Sequence, residues 1–208
     1  MLKFSEISLT TWSILSGLAI FGMVLFIMTH YRQKWTTRMM ANASLCIALA
    51  FILSYVKLYE MPQGGSVTLA SMLPLLMFAY AYGVAPGMMI GFSYGLLQFV
   101  QGGWFVHPIQ FLLDYPLAFA MLGFTGIARK MPDRIGIIVG VLLSVSLRFL
   151  CAFLTGVFFW GDSAGEQNVL TYSAVYNGTY LIPETAICLA FTMVSQIRKL
   201  ARQLALTR

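Results

Sequence analysis

Residues 108–128 read PIQFLLDYPLAFAMLGFTGIA, and one side chain among them decides how the chain is to be understood. A helix needs about 20 apolar residues to cross the hydrocarbon of a bilayer, and this stretch supplies them. Asp114 lies six residues into it. A carboxylate at bilayer depth costs about 3 kcal/mol or more unless it is paired or faces a wet cavity, so an acid inside a span marks a functional site by default. The ligand expected for Asp114 is a cation or a good hydrogen-bond donor. Two more charges share the setting: Glu184 inside the run Tyr172–Ser195, and Arg148 inside Ile135–Phe159.

Composition agrees with a membrane setting. The chain has 208 residues, of which 59% are hydrophobic and 10% charged, with a mean hydropathy of +0.80; a soluble domain carries about 25% charged residues. The expected class is an all-α integral membrane protein with one membrane domain. The net charge of +6 does not indicate nucleic-acid binding, because the basic residues are spread over short loops and one tail and form no basic face. Cys46, Cys151 and Cys188 all fall in apolar runs and read as packing thiols, without a CxxC pair or Cys/His spacing for zinc. No cofactor or metal is expected. No G-x-x-x-x-G-K-[ST] occurs, so energy for uphill movement must come from an ion gradient or another polypeptide.

Working outward from 108–128, the other apolar runs are Leu9–Thr29, Met39–Leu58, Val67–Tyr82, Ala85–Val100, Ile135–Phe159 and Tyr172–Ser195. The first lacks a small-residue cleavage site and is long enough to span, so it reads as retained. The third and fourth are short and joined by Gly83-Val84-Ala85-Pro86. Seven spans are expected, with six left open if that pair is re-entrant. Lys and Arg favour the cytoplasmic side. With the N-terminus outside, seven spans put Arg32, Lys34, Arg38, Arg129, Lys130, Arg134 and the basic tail on that side. The chain then divides into an extra helix and basic loop (1–38), a six-helix membrane domain (39–197) and a basic cytoplasmic tail (198–208). Asp114 falls about 9 Å below the external face, at 1.5 Å per residue.

Small-residue patterns suggest how the spans pack. Gly87, Gly91 and Gly95 make a stripe along one helix, expected to admit a second helix backbone. Ala41, Ser44 and Ala48, with Ala43 and Ala50 beside them, make another surface, for internal packing or for a partner. Gly91-Phe92-Ser93-Tyr94-Gly95 matches the nucleophile-elbow pattern G-x-S-x-G, but that motif needs a strand–turn–helix context and histidine and acid partners. A helical setting argues against a hydrolase. Arg148 is expected to pair with Glu184 or to cap backbone carbonyls, with direct contact to a ligand as the lesser reading, and Pro183 to kink the helix carrying Glu184.

Gln110, Asp114, Tyr115, Trp160, Tyr172, Tyr176 and Asn177 map to one depth. An acid, two amides, an indole and phenols there suit a flat, polar, cationic molecule. The acid accepts N–H bonds or balances charge, the aromatic faces attract a cation, and the amides read ring edges.

Three blocks resemble the thiamine-specific substrate-binding subunit (S component) of energy-coupling factor (ECF) vitamin transporters. They are Met61-Pro62-Gln63-Gly64-Gly65-Ser66-Val67 with Met72-Leu73-Pro74; His107-Pro108-x-Gln110-x-Leu112-Leu113-Asp114-Tyr115; and Arg148 through Gly156 to Phe159, continuing to Tyr172-Ser173-x-x-Tyr176-Asn177-Gly178-Thr179-Tyr180. The resemblance covers roughly Ala41 to Gln196. It implies a six-helix fold binding thiamine near the outer face, here with one additional N-terminal helix. It implies a lid at Met61–Ser66 and aminopyrimidine contact by Asp114, with Tyr115 beside it. Trp160, Gly156, Tyr172 and Asn177 take the family's pocket positions, and Ser44-x-x-x-Ala48 its docking surface for the transmembrane coupling subunit, which works with cytoplasmic ATPase subunits. Two departures stand out: Ala152 where the family often carries histidine, and Asp rather than Glu at 114. They leave open a related ligand such as the free pyrimidine moiety. A proton-coupled secondary transporter, with Glu184 and Arg148 as relay, is the rival reading from another class.

Overall fold

The structure, a computed structural model, describes residues 34–206 together with Gly17. The expected first span, Leu9–Thr29, lies outside the described residues. Helix α1 (Thr37–Ser54) begins where the Thr36 hydroxyl accepts a hydrogen bond from the Met39 amide at 3.2 Å, which satisfies one of the donors a helix start leaves unpaired. Strands β1 (Lys57–Glu60) and β2 (Ser66–Thr68) follow as an antiparallel hairpin. Then come α2 (Leu73–Tyr82), α3 (Val84–Gly102), α4 (Pro108–Lys130), α5 (Asp133–Phe159), α6 (Val169–Met193) and α7 (Ser195–Leu206).

The bundle is built around α2. Every residue from Pro74 to Tyr82 is buried, and the helix packs against α1, α3, α4 and α7. A ten-residue helix is too short to cross a bilayer alone, and here it is sheathed by its neighbours. Among the described residues three helices, Thr37–Ser54, Pro108–Lys130 and Arg134–Phe159, are long and apolar enough to cross a membrane. Their outward residues, among them Leu45, Ile52, Ile127 and Leu150, are exposed apolar side chains suited to lipid.

Helix α4 changes character along its length. His107 Nδ1 accepts from the Ile109 amide, and Pro108 occupies the first turn, where its missing N–H costs nothing. Residues Leu113–Leu117 form a π-helical turn containing Asp114 and Pro116. Proline lacks the N–H an α-turn needs and crowds the carbonyl four residues back, so the turn widens. Residues Met121–Lys130 continue as 3-10 helix.

The glycine stripe of α3 lies against this helix. A Cβ at Gly87 would meet Ala79 and the Gly123 backbone, one at Gly91 the Phe119 carbonyl, and one at Gly95 the Tyr115 carbonyl and Pro116. The stripe packs inside the molecule and brings α3 onto the backbone of the π turn.

Three boundaries differ from the sequence expectation. The run Val67–Tyr82 is not one helix: Ser66–Thr68 is strand and the helix starts at Leu73. Gly64 and Gly65, at φ 91° and 87°, turn the hairpin, a conformation glycine adopts without steric cost. The run Met39–Leu58 ends its helix at Ser54, and Lys57 and Leu58 belong to β1. The segment read as a tail from 198 is part of α7, whose Ile197 and Leu204 pack on the core.

The stripe gives a direct test of this packing. Gly91→Val should destabilise the bundle by about 1–3 kcal/mol, as overpacking does, and lower the thermal midpoint in detergent. Gly178→Ala, where the new methyl meets only Ile182 Cδ1 at 3.5 Å, should leave it nearly unchanged. Equal midpoints for both variants would contradict the close approach of α3 and α4.

Candidate functional site

The hairpin closes one end of a cavity of about 170 Å³ walled by α4, α5 and α6. Residues four apart on a helix share a face, and α5 presents Arg148, Ala152, Gly156 and Trp160 to the cavity in this way. Helix α4 contributes Asp114, Tyr115, Ala118 and Phe119; α6 contributes Tyr172, Ser173, Tyr176, Asn177, Tyr180 and Glu184.

Asp114 is held from one turn below. The Gln110 amide donates to Asp114 Oδ2 at 2.7 Å and to the Trp104 carbonyl at 3.2 Å, and its oxygen accepts from the Val106 amide at 3.0 Å. A carboxylate has about four acceptor positions, so these bonds leave it able to accept from a ligand. Tyr115 has its hydroxyl tied to the Trp104 amide at 2.8 Å, which fixes the ring while its face stays beside the cavity. Trp160 meets Trp104 edge-on at 6.3 Å between ring centroids.

The opposite wall is polar and closely packed. The Asn177 amide donates to the Ala152 carbonyl at 3.2 Å and the Ser173 carbonyl at 2.9 Å, while its oxygen accepts from the Tyr180 hydroxyl at 2.9 Å. Asn177 thus ties α5 to α6, and a lone pair on its oxygen remains for a ligand. A Cβ at Gly156 would strike Ser173 Oγ, so only glycine lets the helices approach here.

Three α6 side chains hold the hairpin over the cavity. The Tyr172 hydroxyl donates to Gln63 Oε1 at 2.8 Å; the Tyr176 hydroxyl donates to the Gly64 carbonyl and accepts from the Gln63 amide, both at 2.9 Å. At the base, Glu184 accepts from the Thr68 amide at 2.5 Å, from the Thr68 hydroxyl at 2.7 Å and from the Ser71 hydroxyl at 3.4 Å. The expected Arg148–Glu184 ion pair is not formed: among the described residues the ion pair within 4.0 Å is Lys57–Glu60. The hairpin amide and two hydroxyls supply what a buried carboxylate requires, so Glu184 does not depend on the guanidinium.

Of the expected site residues, Asp114, Tyr115, Gly156, Trp160, Tyr172 and Asn177 line this one cavity. Gln110 does not; it is fully buried and acts on Asp114 from behind, because its amide is spent on Asp114 and on the 104–106 backbone. Sequence reasoning missed the hairpin anchor Thr68–Ser71–Glu184 and the place of Tyr180 in the wall, and it gave Arg148 a place there only as the lesser reading. The only available signal was polar residues, Thr68 and Ser71, in a run otherwise read as apolar. Ser93 sits within α3 and donates to the Met89 carbonyl at 3.0 Å, so the G-x-S-x-G match has no elbow. On α1, Ser44 and Ala48 are exposed, whereas Ala43 and Ala50 are buried.

An all-α membrane bundle that holds an acid-bearing cavity under a hairpin has the form of a substrate-binding membrane protein. Residues 40–203 match the family described as thiamine transporter protein (Thia_YuaJ), and the chain belongs to that family. The thiamine transporter ThiT of Bacillus subtilis is 33% identical over 156 residues, covering 68% of this chain and 81% of that protein. ThiT of Lacticaseibacillus paracasei is 28% identical over 123 residues, covering 51% and 61%. A solved structure of ThiT from Listeria monocytogenes superposes with a TM-score of 0.69 at 23% identity, covering 80% of this chain and 96% of that one. The likeness supports the same all-α fold.

The Glu184 anchor is open to test. Glu184→Ala should speed hydrogen exchange of the Thr68 amide by at least tenfold, with little change at α2 amides. Unchanged protection at Thr68 would show that the hairpin does not rely on this acid.

Proposed function

We propose that this chain binds thiamine in the cavity and serves as the capture subunit of an ECF-type transporter. The observation that carries the reading is Asp114: an acid oriented by Gln110 toward a cavity with aromatic walls, in a chain of the thiamine transporter family. Thiamine joins an aminopyrimidine to a positively charged thiazolium. Asp114 would accept the amino N–H, and Tyr115, Trp160 and Tyr172 would enclose the rings, with cation–π attraction for the thiazolium. Asn177 would accept at a ring edge, Gly156 would leave room for the ring, and Gln110 would position the acid. The role is transport rather than catalysis.

The basic loops favour an external N-terminus and a cytoplasmic C-terminus in the cell membrane, with the cavity toward the outside. The exposed Ser44 and Ala48 of α1 suit close approach by a transmembrane coupling subunit, through which cytoplasmic ATPase subunits would drive release. Residues 1–38 would add a helix beside the six-helix domain. Glu184 is engaged by Thr68 and Ser71 rather than by Arg148, which favours a hairpin anchor over a proton relay.

Titration of the purified protein, followed by tryptophan fluorescence, tests the reading. Thiamine should bind saturably and more tightly than the free aminopyrimidine; the reverse order would favour the precursor. Asp114→Asn should weaken thiamine binding by about 10–100-fold, the range for losing a charged hydrogen bond. Wild-type affinity in that variant would remove Asp114 from the proposed role.

A further inference from the structure

Arg148 lines the same cavity as Asp114, and the family resemblance assigns it no ligand. Its surroundings are unusual for a guanidinium. The group lies 4.0 Å over the face of Phe119, and its one recorded hydrogen bond goes to the thioether of Met72, a weak acceptor. Among the described residues no oxygen or nitrogen atom accepts from it. The acid that would be its natural partner, Glu184, also lines the cavity but is occupied by the Thr68 amide, the Thr68 hydroxyl and the Ser71 hydroxyl. Turning Glu184 to Arg148 would release the base of the hairpin.

A guanidinium carries five N–H donors, and desolvating them without acceptors is costly. A ligand that fills the cavity displaces whatever water serves them. It must therefore offer an acceptor on the side facing Arg148, or lose affinity. Asp114 and Arg148 line the same cavity, and Ala152, one helical turn from Arg148 on the same face of α5, brings only a methyl group into it. A flat ring can thus extend from Asp114 toward Arg148. The acceptor required is uncharged. With all three groups ionised, Asp114, Glu184 and Arg148 sum to one negative charge, which matches a monocation and leaves no need for an anionic substituent.

We propose that Arg148 is a second recognition residue, donating a hydrogen bond to an uncharged acceptor on the ligand, a ring nitrogen in the case of an aminopyrimidine. This rests on the thiamine-binding reading and deepens it. Asp114 accepts from the amino edge, Arg148 donates to a ring lone pair, and together they read the heterocycle's donor–acceptor pattern.

The test measures affinity for thiamine and for its two pyridine analogues, each with one pyrimidine ring nitrogen replaced by C–H. The proteins are the wild-type chain, Arg148→Met and Arg148→Lys. In the wild type, at least one analogue should bind tenfold or more weakly than thiamine. In Arg148→Met that analogue and thiamine should bind within about twofold of each other, with the free protein's thermal midpoint measured alongside. Arg148→Lys, which keeps the charge, should retain part of the discrimination and serves if the Met variant does not fold. Two results overturn the assignment: both analogues binding the wild type as tightly as thiamine, or discrimination persisting undiminished in the variants. A wild-type protein that binds no thiamine would instead overturn the reading beneath it.

Discussion

A carboxylate inside a membrane-spanning bundle must be given hydrogen bonds, and the architecture around Asp114 is arranged to do so. Gln110 bonds it directly, and Gln110 is itself fixed by the 104–106 backbone. The acid sits in a π-helical turn opened by Pro116, a geometry that displaces side chains from the ordinary helical face. That turn is backed by Gly95 of α3, while Gly91 meets the backbone just beyond it at Phe119 and Ala120; both allow backbone-to-backbone approach. The glycine stripe, the proline and the amide are thus one device for holding a single charge at a cavity wall.

The second acid is used differently. Glu184 is 3% exposed and spends its oxygens on the hairpin base, while Tyr172 and Tyr176 hold the hairpin turn. Helix α6 therefore bears both a wall of the cavity and the attachments of its cover. Wall and cover are joined through one helix, because Tyr172 and Tyr176 both line the cavity and bond the Gln63–Gly64 turn. Arg148, without an oxygen partner among the described residues, lines the same cavity.

Much of this was legible from the residues. Intramembrane charge singled out Asp114, and the extent of the apolar runs located α1, α4, α5 and α6 to within a few residues. The GxxxG spacing pointed to a close helix contact, which the structure places between α3 and α4. What the sequence could not give followed from interactions between distant segments. The run Val67–Tyr82 reads as continuous in hydropathy, yet its first residues become strand by pairing with Lys57–Glu60, and the Thr68 amide bonds to Glu184, 116 residues away. The same contact explains why Arg148 and Glu184, which look like natural partners in sequence, remain apart. Gln110 was misread as a wall residue because spacing shows which side of a helix a side chain is on, not which neighbour has already claimed its amide.

The most direct test of the central claim is a structure of the protein with thiamine bound. The account predicts the ligand beneath the 57–68 hairpin, with its amino group on the Asp114 carboxylate and its rings between Trp160 and Tyr172. A ligand bound outside this cavity, or inside it with Asp114 still bonded only to protein, would contradict the account.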